Sequence, residues 1–211
     1  MNQASTPYVL PRELTDIPDA VRQAPAPPVP EFHAPYSLRV IDADGDDPAT
    51  VAAWMSRPHL VRTWDQPWPV DRWRQHLRAQ LEGGYTRPCI LSVDGREAAY
   101  IEIYRVAKDE CGRLYDADPH DLGFHIATGE LELTGRGVMS RWIARLPSAL
   151  FAADPRCRRV LGDPEYSNRA IRRAFEKSDW TCVGEFDVRP DRRIALYAAP
   201  RTPGDLPVTR G

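Results

Sequence analysis

Three short pieces of this chain carry residue types suited to chemistry. His125 stands in the middle of DLGFHIA (121–127), where an imidazole could take or give a proton near neutral pH. Asp163 closes the run VLGD and precedes Pro164. In open α/β sheets such strand ends border the ligand crevice. Thr134-Gly135-Arg136-Gly137 comes just before an amphipathic segment. Its glycines would let backbone N–H groups approach an anion, the helix start adds a positive dipole, and Arg136 adds charge. Each piece also has a plain structural reading: a satisfied strand histidine, a turn or cap aspartate, a glycine turn. The glycine loop lacks the third glycine of a dinucleotide fingerprint and the Lys-Ser/Thr of a P-loop.

A fourth piece is NRAIRRAFEK (168–177), followed by Trp180. It predicts a short helix capped by Asn168 or Ser167, with Ala170, Ile171, Ala174 and Phe175 on its apolar face. Arg156, Arg158, Arg159, Arg169, Arg172 and Arg173 crowd the same region. They fit a solvated face or an anion site equally well. His33, His59, His76 and His120 show no ligand spacing, so no metal centre is expected. No G-x-S-x-G elbow supports a serine hydrolase.

The elements that must position these residues follow from pattern. Tyr36–Ile41 reads as a strand, and Asp47–Met55 as a helix with Asp46 or Asp47 at its cap and Pro48 in its first turn. The stretch RPHLVRTWDQPWP (57–69) reads as aromatic and irregular. Val70–Glu82 is a helix, with Trp73, Leu77 and Leu81 at four-residue spacing and Gly83-Gly84 at its end. Strands Cys89–Val93 and Ala98–Arg105 flank the hairpin turn Asp94-Gly95. Leu122–Ala127 is a strand and Gly137–Phe151 a helix, bent at Pro147. Val160–Gly162, Asn168–Lys177, Cys182–Phe186 and Arg193–Ala198 complete a strand, helix, strand, strand order. The alternation specifies a mixed α/β fold with hairpins and crossovers.

Outside this domain, residues 1–35 form a Pro-rich arm, loose or laid over the surface, with at most one helical turn within 10–23. Residues 36–199 form the domain, and 200–211 a tail expected to be disordered. The 28 Lys and Arg against 30 Asp and Glu give a net charge of −2, so no nucleic-acid or anionic-membrane partner is advertised. No run of about 18 apolar residues spans a membrane, and no basic, apolar leader opens the chain. Cys89, Cys111, Cys157 and Cys182 match no zinc or redox spacing, which fits reduced thiols in the cytoplasm.

Taken with PPVP (27–30), WMSRPHL (54–60), RWRQHLRAQLEG (72–83), AAYIEIYRVAKD (98–109) and YDADPHDLGFH (115–125), the glycine loop and the 163–177 block resemble the hydroxamate-siderophore branch of the GCN5-related N-acyltransferases. The resemblance runs from Pro27 over nearly the whole remaining chain. It implies a mostly antiparallel mixed sheet, flanked by helices and splayed between the fourth and fifth strands. An acyl thioester would enter the split from one side and an amine from the other. It implies acyl-CoA, or an acyl carrier protein, as donor, with no permanently bound cofactor. Thr134, Gly135, Arg136, Gly137, Val138 and Met139 would hold the donor's phosphates, with Asn168, Arg172 and Phe175 alongside. Asp163 would be the proton acceptor and His125 the acceptor-binding residue. Trp64, Trp68 and His59 are candidates for the substrate wall, whereas Trp73 reads as core.

The chain departs from the superfamily pattern at Thr134, where Gln or Arg is preferred, and at Met139, where Gly or Ala is. Phe175 stands where many members place a tyrosine acid. The implied activity is acylation of a lysine or ornithine side-chain amine or hydroxylamine in siderophore assembly. Aminoglycoside 6′-N-acetylation and a non-catalytic acyl-CoA sensor are the alternatives.

Overall fold

A computed structural model describes residues 8–210. Its elements are α1 (Asp19–Arg22), β1 (Tyr36–Val40), α2 (Asp47–Met55), α3 (Pro58–Trp64), α4 (Val70–Glu82), β2 (Thr86–Val93), β3 (Arg96–Arg105), β4 (Leu122–Thr128), α5 (Val138–Ala153), β5 (Arg159–Gly162), α6 (Arg169–Glu176), β6 (Thr181–Arg189) and β7 (Arg192–Pro200). The seven strands form one sheet in the order β1-β2-β3-β4-β5-β7-β6. Every neighbouring pair is antiparallel except β4 and β5. Helix α3 corrects the expectation of an irregular stretch there. Pro58 supplies a first-turn residue that needs no N–H donor.

The β4–β5 contact is what matters for the site. It consists of Leu122 opposite Val160 and Gly123 opposite Leu161, and then the strands part. Alternation puts Ile101, Ile103 and Phe124 on one face, in a core with Trp142, Leu146 and Phe175 from α5 and α6. Tyr100 and Ala127 lie on the other face, against Trp54, Trp73 and Leu77 from α2 and α4. Helix α5 runs through Pro147, as its pattern predicts.

Of the two readings left open for the arm, the structure shows it laid over the domain. The arm is fastened by two buried cations. Lys108 Nζ donates to the carbonyls of Ala24 (2.8 Å) and Gly84 (3.0 Å), and Arg105 Nε to that of Pro25 (2.9 Å). The tail, expected to be disordered, docks instead. Asp205 closes a capping box with Thr202 and takes a 2.7 Å bond from Arg158, and Arg210 N–H reaches Leu114 O at 2.7 Å. Proline content says where a helix cannot run, not where a chain cannot dock.

Candidate active site

Strand β4 presents His125 opposite Glu102 of β3, so the two side chains share a face. His125 Nδ1 lies 2.9 Å from Glu102 Oε2, and Nε2 lies 3.2 Å from Asp163 Oδ1. A carboxylate therefore stands at each end of the imidazole. Glu102 also accepts from Tyr100 Oη (2.8 Å) and Gln80 Nε2 (2.8 Å), which fixes its position.

Asp163 follows the last residue of β5 and is buried. It accepts from Tyr104 Oη at 2.7 Å on Oδ1 and from Arg192 Nη2 at 2.7 Å on Oδ2. The Tyr104 ring lies almost flat on His125. Gly123 makes this possible, because a Cβ there would overlap the tyrosine ring. The glycine two residues before His125 therefore has a packing reason.

Burial works to raise the pKa of Asp163, but His125, then Arg192 and Arg12, hold it well below the usual carboxylate range. Burial likewise opposes ionisation of Glu102, yet the hydrogen bond and charge of His125 bring its pKa down to about 2. For His125, burial and the Arg12 charge work against the imidazolium. Asp163 and Glu102 outweigh them, and the pKa is raised.

The strands' parting leaves backbone groups free. Val106 N–H donates to Asp121 O (3.0 Å) and Gly129 N–H to Ala98 O (2.9 Å). Alternate residues of β4, His125 among them, thus spend their backbone groups on β3. Phe124, Ile126 and Thr128 turn theirs toward the gap. Trp64 Nε1 donates to Ile126 O (3.3 Å) and His59 Nε2 to Thr128 O (2.9 Å). Two carbonyls are taken, so the gap is lined by N–H donors suited to a developing oxyanion.

The other sequence candidates divide. Trp64 meets the His125 ring edge-on, with centroids 6.2 Å apart. His59 is tied to β4 as described. Trp68 packs on Trp73 and His76 with the Arg72 guanidinium over it, one layer behind His125. Thr134, Gly135 and Arg136 are exposed, and Gly135 and Gly137 take left-handed φ values of 74° and 73°. No side chain caps α5, so its first-turn N–H groups are open to an anion. Val138 and Met139 pack against the core beneath the loop.

Helix α6 keeps its expected cap and buries Phe175 as its apolar pattern predicts. Asn168 Oδ1 accepts from Ile171 N at 3.4 Å and is used as a cap. Arg172 pairs with Glu185 at 2.8 Å. Ala170 is exposed. Phe175 is only 2% exposed, stacked on Tyr197 at 4.8 Å, and fills the space over Gly162. Phe175 is thus a core residue, correcting its reading as a cofactor contact. An amphipathic pattern cannot distinguish a ring facing a ligand from one facing a sheet.

Glu102, Tyr104, Arg192 and Arg12 were missed in the sequence. Glu102 carried a signal, a single charge inside the apolar run AAYIEIY, which a buried strand tolerates only if paired. Arg12 carried none. Its Nη1 reaches to 2.6 Å from His125 Nε2 across 113 positions of sequence. A guanidinium can only donate and an ionised Asp163 can only accept, so Nε2 faces one of each; it accepts from Arg12 in the neutral ring whose proton sits on Nδ1, toward Glu102.

A family model described as "Acetyltransferase (GNAT) domain" matches residues 44–188. Lysine N-acyltransferase MbtK of Mycobacterium sp. (strain MCS) is 48% identical over 201 residues, covering 95% of this chain and 82% of that protein. The N(6)-hydroxylysine O-acetyltransferase of Escherichia coli is 28% identical over 172 residues, 82% of this chain and 54% of that protein. Among solved structures, aminoglycoside acetyltransferase AAC(6′)-Ib with coenzyme A superposes with a TM-score of 0.70 at 23% identity, over 79% of this chain and 95% of that one.

Proposed function

This chain belongs to the GNAT acetyltransferase family and is an acyltransferase; within that class we propose that it moves an acyl group from acyl-CoA to the side-chain nitrogen of lysine or N6-hydroxylysine, a step of hydroxamate-siderophore assembly. The observation that carries the acceptor class is the 48% identity to the mycobacterial lysine N-acyltransferase over nearly the whole chain. The likeness to an aminoglycoside acetyltransferase, at 23% identity, carries the fold and no acceptor. An acyl carrier protein is a second donor within this reading, since its acyl arm would enter the same gap. The four free cysteines fit reaction in the cytoplasm.

The chemistry sets the roles. A lysine ammonium, with a pKa of about 10.4, has no lone pair for attack and must lose a proton. We assign that proton to His125 Nε2 rather than to Asp163. A carboxylate held far below its usual range by Arg192 and His125 is a feeble base. Glu102 accepts a hydrogen bond from Nδ1–H, which keeps the ring proton there and presents the Nε2 lone pair. Asp163 and Glu102 then stabilise the imidazolium that forms. The amine nitrogen attacks the thioester carbon, and the N–H groups of Ile126 and Thr128 meet the oxyanion. The C–S bond then breaks, the added nitrogen gives its surplus proton to the departing sulfur, and the thiol leaves, while the α5 start and Arg136 hold the donor's phosphates.

The test is thiol release from acetyl-, succinyl- and long-acyl-CoA, and from an acyl carrier protein, with lysine, N6-hydroxylysine, N5-hydroxyornithine and kanamycin. Release with lysine or N6-hydroxylysine is expected. Release with kanamycin alone, or with no pair, overturns the reading.

A further inference from the structure

The cleft that leads to His125 is already filled, by the chain's own arm. Leu10, Pro11 and Arg12 lie among Trp64, Gln66, His76, Tyr85, Glu102 and His125, and the cavity left is about 20 Å³. That is room for about one water molecule, not for an amino acid. Leu10 is buried against Tyr85 and Tyr104, and Tyr8 Oη is 3.1 Å from His76 Nδ1. Gln66 Oε1 is buried without a partner on the same wall.

The charge in this plug is the one an amine acceptor would bring. Arg12 places a cation at the nitrogen assigned to take the acceptor's proton, beside Asp163. Its backbone adopts φ 67° in a turn closed by Glu13 N–H on Leu10 O (3.3 Å), a conformation that favours glycine. The guanidinium contacts hold an arginine there against that backbone preference.

The plug and the rest of the arm are held by separate contacts. Leu14 N–H to Lys108 O (2.9 Å) and Glu110 N–H to Arg12 O (3.1 Å) stitch it to the segment after β3. The firm anchors, on Lys108 and Arg105, hold residues 22–26 instead. Between them Thr15, Asp16 and Pro18–Ala20 are exposed, so the link between plug and anchors buries little.

Building on the proposed acylation of an amine, we infer that residues 8–14 and the amine acceptor compete for one cleft, with Arg12 standing in for the acceptor's cationic nitrogen. The enzyme is then closed at rest and opened by its own substrate. Binding acceptor means displacing the arm, so the apparent affinity is reduced by the fraction of molecules closed.

Three measurements test this. Arg12→Ala in the full chain is expected to lower KM for the amine at least about fivefold while KM for acyl-CoA stays within about twofold. A chain starting at residue 17 is expected to behave alike, and to bind a synthetic peptide of residues 1–16 in calorimetry. That peptide should inhibit it competitively against amine and not against acyl-CoA, and a peptide carrying Arg12→Ala should bind at least tenfold more weakly. Arg12→Lys in the full chain offers a primary amine at the same place. With acyl-CoA and no acceptor, mass spectrometry should find that residue acylated with one thiol released per chain. An unchanged or raised amine KM in Arg12→Ala, in an enzyme that turns over, overturns the plug alone. So does a peptide that fails to bind a folded truncated chain. Absence of thiol release from both wild type and Arg12→Ala, with every acceptor, sinks the functional reading.

Discussion

The ring of Tyr104 lies on the imidazole of His125, centroids 4.5 Å apart and planes 23° apart, while its hydroxyl donates to Asp163. One side chain thus holds both members of the proposed proton-handling pair. Tyr104→Phe keeps the stack and removes the bond. Because Asp163 retains Arg192 and His125 as partners, the expected loss of stability is about 1 kcal/mol. A drop in kcat without a change in acyl-CoA KM should accompany it. Denaturant midpoints and steady-state kinetics check both.

Glu102→Gln removes the charge that helps hold a proton on His125. Since Glu102 and Asp163 raise the histidine pKa, losing one lowers it. The base must be neutral to act, so the acid limb of the kcat/KM profile should move to lower pH. The plateau should fall by roughly 10- to 100-fold, since a misdirected imidazole is a poor base. A limb that stays in place would remove His125 as the titrating group.

Gly123→Ala introduces a Cβ into the Tyr104 ring. The ring must move or the strands must shift, an overpacking cost of about 1–3 kcal/mol. Activity should fall further than stability, because the displaced ring also releases Asp163. Melting temperature and kcat of the purified variant, measured together, separate the two effects.

Asp163 and Glu102 both have folded pKa values below their ordinary ones. The stability each adds is present above the unfolded carboxylate pKa of about 4 and is lost as pH falls toward the folded value. The wild-type melting temperature should therefore drop steeply below about pH 4. Asp163→Asn should be less stable at pH 7 and show a shallower acid slope. An equal slope in both proteins would assign acid lability to other carboxylates.

Arg136 is exposed beside the open first turn of α5. Arg136→Ala should raise KM for acyl-CoA several-fold, leave kcat and the amine KM nearly unchanged, and weaken the salt dependence of donor binding. Initial rates at two ionic strengths measure this.

Much of this arrangement is readable from local pattern. Alternation in DLGFHIA puts His125 with Gly123 and Ala127, and the tyrosine over Gly123 gives that pattern its meaning. The same alternation in AAYIEIY marks Glu102 as an oddity without naming its partner, because register between strands is a tertiary property. Phe175 shows the opposite error: a residue of a motif that resembles a binding helix is spent on packing, while Asn168 caps the helix as its place in the pattern predicts. Arg12 lay beyond any local reading, since nothing in VLPREL announces a destination 113 positions away.

An unpaired strand edge is ordinarily a hazard, a template on which another chain can add itself and start an aggregate. The free side of Phe124–Thr128 is such an edge, yet it opens inside the sheet rather than at its margin. Trp64 and His59 occupy the carbonyls of Ile126 and Thr128, so a foreign strand would find donors without the matching acceptors. A full peptide needs both donors and acceptors, whereas a slender linear arm that offers carbonyl oxygens needs only the donors. The parting of two strands thus works as a filter on shape, protecting the protein from its neighbours with the same feature that would admit its acyl donor.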